Sequence, residues 1–168
     1  EGPPPPNVQV VQPEIRSITE WKEFTGRFEA VEMVELRARV TGYLDKVHFK
    51  DGQMVEKGDL LFEIDPRPYE AAVARAEAEL ARMESQLKLA DLDTKRGERL
   101  LTQSAISQEE VDTRRARFQE ANANVASAAA DLKTAKLDLQ YAKITAPVSG
   151  RISNRRVDVG NLIGSGDM

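Results

Sequence analysis

The 168-residue chain has no cysteine, a single histidine, one tryptophan and only 5% aromatic residues. Without cysteine there is no disulfide framework, no thiol nucleophile and no thiolate-bound metal. The redox compartment stays open on that ground. The lone histidine, His48, sits in a strand-like stretch beside apolar residues, which speaks against a metal or catalytic role. A chain this poor in aromatics does not build a thick core. No apolar run is long enough to span a bilayer, and no signal-peptide pattern is visible. Residue 1 is Glu rather than Met, so we expect a processed or trimmed form from which a signal or lipid anchor was removed. No phosphate loop, nucleophile–base pair or metal-ligand spacing occurs, which speaks against an enzyme and against a bound cofactor. The net charge of −4, with both signs interspersed, gives no reason to expect nucleic acid as a partner.

What the chain does have is charge, 31% of its residues, laid out around a long heptad pattern. From about residue 69, small or apolar positions recur at Val73, Ala76, Leu80, Met83, Leu87, Ala90, Thr94, Gly97 and Leu101. After a break at residues 102–106 they recur at Val111, Arg114, Phe118, Ala121, Val125, Ala128, Leu132, Ala135, Leu139 and Ala142. The steps alternate three and four, averaging the 3.5-residue period of a coiled-coil stripe. The off-stripe positions are mostly charged or amide side chains. Glu84 with Lys88, Asp91 with Lys95 and Glu110 with Arg114 are spaced to pair at i,i+4. The pattern predicts an antiparallel helical hairpin over residues 68–142, with arms about 50 Å long. Asp65-Pro66-Arg67-Pro68 stops a strand and starts the first helix. Ser107 three residues before Glu110 reads as a capping box, with Ile106 and Val111 placed as a hydrophobic staple.

The flanks read as β structure. Residues 1–7 hold four consecutive prolines, a stiff tether. Residues 8–34 carry short strand-like pieces, too few to bury a core without partner strands from elsewhere. From Val34 to Val40, apolar and charged residues alternate as in a half-buried strand. A first β half then covers residues 35–67, and a second covers residues 143–168. A shift of 108 residues lays Gly42 on Gly150, Leu44 on Ile152, Gly52 on Gly160, Val55 on Ile163 and Gly58 on Gly166. Turn glycines and apolar positions matching at one offset imply two copies of one strand–turn–strand unit. The expected fold is α+β: a long coiled-coil hairpin inserted between two halves of a small β-sandwich.

Candidate contact residues lie at the hairpin bend. Leu100 is off the stripe, and Arg96 lies four residues earlier on the same face. An off-stripe leucine at the end of a solvated rod suggests contact with another protein. Ser107 is already accounted for as a helix cap.

In this arrangement the chain resembles the periplasmic adaptors, or membrane fusion proteins, of tripartite efflux pumps, and most closely those serving resistance-nodulation-division (RND) transporters. The stretches that carry the resemblance are residues 34–69 (VELRARVTGYLDKVHFKDGQMVEKGDLLFEIDPRPY), residues 141–163 (YAKITAPVSGRISNRRVDVGNLI) and the bend. Arg96, Leu100 and Ser107 match the family's tip motif, with three and then six intervening residues. The resemblance implies that the β halves are lipoyl-like and that residues 8–34 are part of a β-barrel. It implies that the three tip residues meet a TolC-like outer-membrane channel. It also implies an RND inner-membrane transporter as second partner, a periplasmic location and assembly as a ring, a hexamer or trimer of dimers. No lipoyl or biotinyl attachment is expected, because the hairpin replaces the turn that bears the modified lysine in true carriers. Two rival readings are a swinging-arm carrier domain, revealed by a mass adduct on lysine, and a coiled-coil protein that dimerises through the hairpin.

Overall fold

The structure, a computed structural model, describes residues 2–164. It divides into two units, Glu1–Met33 and Val34–Met168. In the first, no helix or strand forms among the described residues. The strand-like pieces of residues 8–34 therefore form no strand. Trp21, Phe24 and Phe28 are all exposed there. A strand needs a ladder partner for its backbone and a surface on which to bury its apolar face.

The second unit runs β1 (Gly42–Val47), β2 (Met54–Val55), β3 (Leu60–Ile64), α1 (Arg67–Thr102), α2 (Gln108–Tyr141), β4 (Lys143–Thr145), β5 (Gly150–Arg151) and β6 (Leu162–Ile163). The strands form a four-stranded sheet ordered β4-β3-β1-β6 and a two-stranded sheet β2-β5. Every pairing is antiparallel, and three of them join a strand before the hairpin to one after it: β1 with β6, β2 with β5 and β3 with β4. Both flanks also supply one core, in which Leu44, Leu61 and Ile64 pack with Ala142, Ile144 and Ile163. Phe49 and Phe62 meet edge-to-face there, with centroids 5.0 Å apart.

The 108-residue repeat reappears in the pairing. Gly42 lies opposite Ile163 and Tyr43 opposite Leu162. Val55 lies opposite Gly150 and Met54 opposite Arg151. Shifting either set by 108 generates the other with the partners exchanged. The turns follow the same rule. Leu44 N donates to Asn161 O and Ile152 N to Gln53 O, both at 2.9 Å. Gly160 N donates to Leu44 O, and Gly52 N to Ile152 O. Gly52 and Gly160 hold φ of 79° and 91°, where a side chain is strained. Gly58 also has positive φ (99°), while its counterpart Gly166 lies outside the described residues. Gly42 and Gly150 differ from the expectation of turn glycines, because they open β1 and β5. A Cβ on Gly42 would stand 2.6 Å from Ile64 Cγ2, so there the need is close packing.

The stretch from Val34 to Val40 forms no ladder, contrary to the strand expected. Its burial still alternates, with Ala38 and Val40 buried and Glu35, Arg37 and Arg39 exposed. Extended backbone alone sets that period of two, whereas a strand also requires a paired edge. The stretch instead serves the root of the hairpin. The Arg39 guanidinium covers the Tyr141 ring at 4.9 Å, and Tyr69 Oη donates to Thr41 O at 2.5 Å.

The α1 helix begins at Pro66 without a side-chain cap, with proline in its first turn. Asp65 accepts from the Arg67 backbone N–H (3.1 Å) and from Arg67 Nε and Nη2 (2.8 and 2.7 Å). These bonds lower the Asp65 carboxyl from 3.8 to about 2. Because the value is depressed, the stabilisation is complete above the ordinary carboxylate range and is lost as pH falls through about 2. Asp65→Asn should flatten the dependence of the urea midpoint on pH between about 4 and 2. The two-fold pairing makes a second prediction. Gly52→Ala and Gly160→Ala should each cost about 1–2 kcal/mol, with matching losses in chemical denaturation.

Candidate functional site at the hairpin tip

Helices α1 (36 residues) and α2 (34 residues) form the predicted hairpin. Every stripe position named above is buried or half-buried, while most other positions are exposed. Full burial is confined to Thr94, Gly97, Val111 and Ala128 within the helices, as befits a seam only two helices thick. Of the expected i,i+4 pairs, Lys95–Asp91 (2.7 Å) and Arg114–Glu110 (3.1 Å) form. Glu84 and Lys88 do not pair, which costs little because exposed pairs contribute at most about 1 kcal/mol. Two ion pairs cross between the helices, Arg115–Glu98 at 2.8 Å near the tip and Lys136–Glu77 at 3.0 Å nearer the root.

The bend is closed by backbone bonds. Leu100 O accepts from both Gln103 N and Ala105 N, and Ser104 takes φ of 55° in the left-handed region. Nothing in the sequence marks this position, since the usual residues there are Gly or Asn. Ser107 then caps α2, its hydroxyl accepting from Glu110 N at 3.3 Å. The capping box is only half made. The Glu110 carboxylate turns to Arg114, accepting from Nε and Nη2 at 3.2 and 3.1 Å. A cation four residues on is a stronger partner than a backbone N–H.

Arg96 is exposed and donates to Asp93 Oδ1 at 3.3 Å. Leu100 is half-buried. Both line a shallow groove of about 390 Å³ together with Leu89, Asp93, Arg114 and Arg117. Ser107 lies outside that lining. Sequence reasoning passed over Leu89, which is 62% exposed and shares the face of Asp93, Arg96 and Leu100. Its off-stripe position was the available signal. The groove thus combines apolar surface with guanidinium groups able to bind carbonyl or carboxylate oxygens.

Elsewhere, His48 Nε2 lies 3.4 Å from Glu63 Oε2, which also receives Lys46 Nζ at 3.5 Å. Among the described residues no group of three or more His, Cys, Asp or Glu is placed to hold a metal ion. Among those residues, too, no helix is long and apolar enough to cross a membrane. Removing the cap tests the local reading of the tip: Ser107→Ala should cost about 1 kcal/mol, seen as a lower thermal midpoint by circular dichroism.

A profile described as "RND MFP, barrel-sandwich hybrid domain" matches residues 32–168. Multidrug resistance protein MdtA of Proteus mirabilis (strain HI4320) is 40% identical over 164 residues, covering 98% of this chain and 40% of that protein. MdtA of Yersinia pestis (strain Pestoides F) is 42% identical over 141 residues, covering 84% of this chain and 32% of that protein. The chain spans less than half the length of these curated relatives. A crystal structure of a MacA–MexA chimeric protein containing the Pseudomonas aeruginosa MexA alpha-hairpin domain aligns with a TM-score of 0.60 at 33% identity. That alignment covers 82% of this chain and 45% of the chimera. With a helical hairpin rooted in paired β halves and this match over most of its length, the chain belongs to the RND-type membrane fusion proteins.

Proposed function

We propose that the chain is the hairpin-bearing part of a non-enzymatic periplasmic adaptor. In this reading it links an RND inner-membrane exporter to a TolC-like outer-membrane channel in drug efflux. The observation that carries the reading is the closed hairpin, whose two roots are held in one β unit while its bend projects from the far end. In this reading residues 35–67 and 143–168 are the lipoyl-like halves, and residues 8–34 are part of a barrel that needs further strands. Family membership and the relatives named for multidrug resistance support this assignment.

Mechanically, the tip would lie beside channel helices. Arg96 donates to a carbonyl or carboxylate of the channel, Leu100 fills a small apolar recess, and Ser107 adds a hydrogen bond beyond its cap. A tip this narrow buries little area per subunit, so each contact is weak. A ring of adaptors multiplies it through effective concentration. In this scheme the rod acts as a spacer of about 50 Å between the membrane-proximal machinery and the channel.

Leu100→Asp in the full-length adaptor places a charge in the apolar part of the tip without touching the seam. Export should fall to the level of a strain lacking the adaptor, with an unchanged melting temperature. Undiminished drug resistance at normal expression would reject the tip as the contact surface.

A further inference from the structure

One position in the helical seam breaks the rule that the seam is small or apolar. Arg114 occupies a stripe position on α2, and its side chain is 22% exposed. Opposite it on α1 stands Gly97, in a helix interior where glycine is disfavoured. A Cβ on Gly97 would lie 2.9 Å from Arg114 Cδ, with further Arg114 atoms at 3.4 and 3.5 Å. The glycine thus makes the space in which the arginine lies.

The polar groups of Arg114 all find partners. Its Nη1 donates to Asp93 O at 3.5 Å, while Nε and Nη2 hold Glu110. Its backbone carbonyl shares the Thr94 hydroxyl proton, at 3.2 Å, with the nearer Ala90 O at 2.8 Å, and Thr94 is itself buried. These bonds extend to the tip on both sides. Asp93 holds Arg96 through its carboxylate, and the Glu110 N–H is held by Ser107 Oγ. One hydrogen-bonded path therefore runs from Arg96 through Asp93, Arg114 and Glu110 to Ser107, crossing from α1 to α2.

An apolar seam of alanine and leucine tolerates small axial slips, because dispersion contacts carry no direction. Hydrogen bonds between named atoms do not, and a single polar seam residue is a known means of setting alignment. We propose that Arg114, seated over Gly97, is a positioning residue that locks the axial alignment of the two helices. It thereby holds Arg96 and Leu100 at a set distance from Ser107. The functional consequence rests on the tip being the contact surface, whereas the alignment itself does not.

The absence of cysteine allows clean double spin labelling at Arg99→Cys and Glu109→Cys, one on each helix near the bend, in the full chain. Arg114→Met keeps the length and apolar stem over Gly97 but removes every donor. The label–label distance should go from one narrow distribution to a broad one, or shift by at least one helical rise, about 1.5 Å. Helicity should stay unchanged and the melting temperature should not fall. Thr94→Val, which removes the hydroxyl and its bonds to Ala90 O and Arg114 O but leaves the guanidinium in place, should broaden the distribution less. An unaltered narrow distribution in folded Arg114→Met, or in Thr94→Val should Arg114→Met not fold, would overturn the proposal. In the full-length adaptor, Arg114→Met should lower export several-fold. Broadened alignment with full export would leave the lock standing and count against the tip as the contact surface.

Discussion

The structure depends on one constraint: the backbone ladder of the β unit is complete only when the chain on both sides of the hairpin is present. Three of its pairings, β1 with β6, β2 with β5 and β3 with β4, are nested around the insertion. Nested antiparallel pairing brings the two helix roots together, and a rod whose ends meet has to double back. Ile64 N donating to Ala142 O at 2.8 Å is the innermost rung, joining the end of β3 to the C-cap of α2. Each half alone would leave apolar faces and backbone groups in water, so the halves and the hairpin root form as one cooperative unit.

The hairpin obeys different physics. Its seam is narrow and mostly half-buried, so packing of any one position contributes modestly, and surface ion pairs contribute little more. Length compensates, since the contact repeats at every turn. Such a repetitive apolar seam says where the helices touch but only weakly at what axial offset. Cross-helix polar bonds from Thr94 and Arg114, and the Arg115–Glu98 and Lys136–Glu77 pairs, supply that offset. Division of labour follows: the β unit holds the root, the seam maintains the rod, and polar atoms near the bend arrange the tip.

In the proposed reading, the groove below the bend is a weak docking site built from these parts. Leu89 and Leu100 provide apolar surface on one face of α1, and guanidinium groups from both helices border it. Arg96 is tied to Asp93, so in the proposed contact this donor is held in place before the channel arrives. Preorganisation of this kind reduces the ordering cost of binding, which matters most where little area is buried.

Much of the second unit was legible in the sequence. The heptad steps located both helices and the bend, and Ser107 with Glu110 marked where α2 begins, because periodicity and capping are local properties of a few consecutive residues. The 108-residue glycine repeat foretold two equivalent strand–turn–strand units, and the register now pairs each with the other. Tertiary structure alone decided four other matters: that the Val34–Val40 stretch has no ladder partner, that Glu110 turns to Arg114 rather than closing the capping box, that Leu100 is half-buried, and that Gly97 leaves room for Arg114. Each depends on which atoms of distant segments come within a few ångströms, and that distance is set by how the helices and sheets align, a quantity no short window of sequence contains.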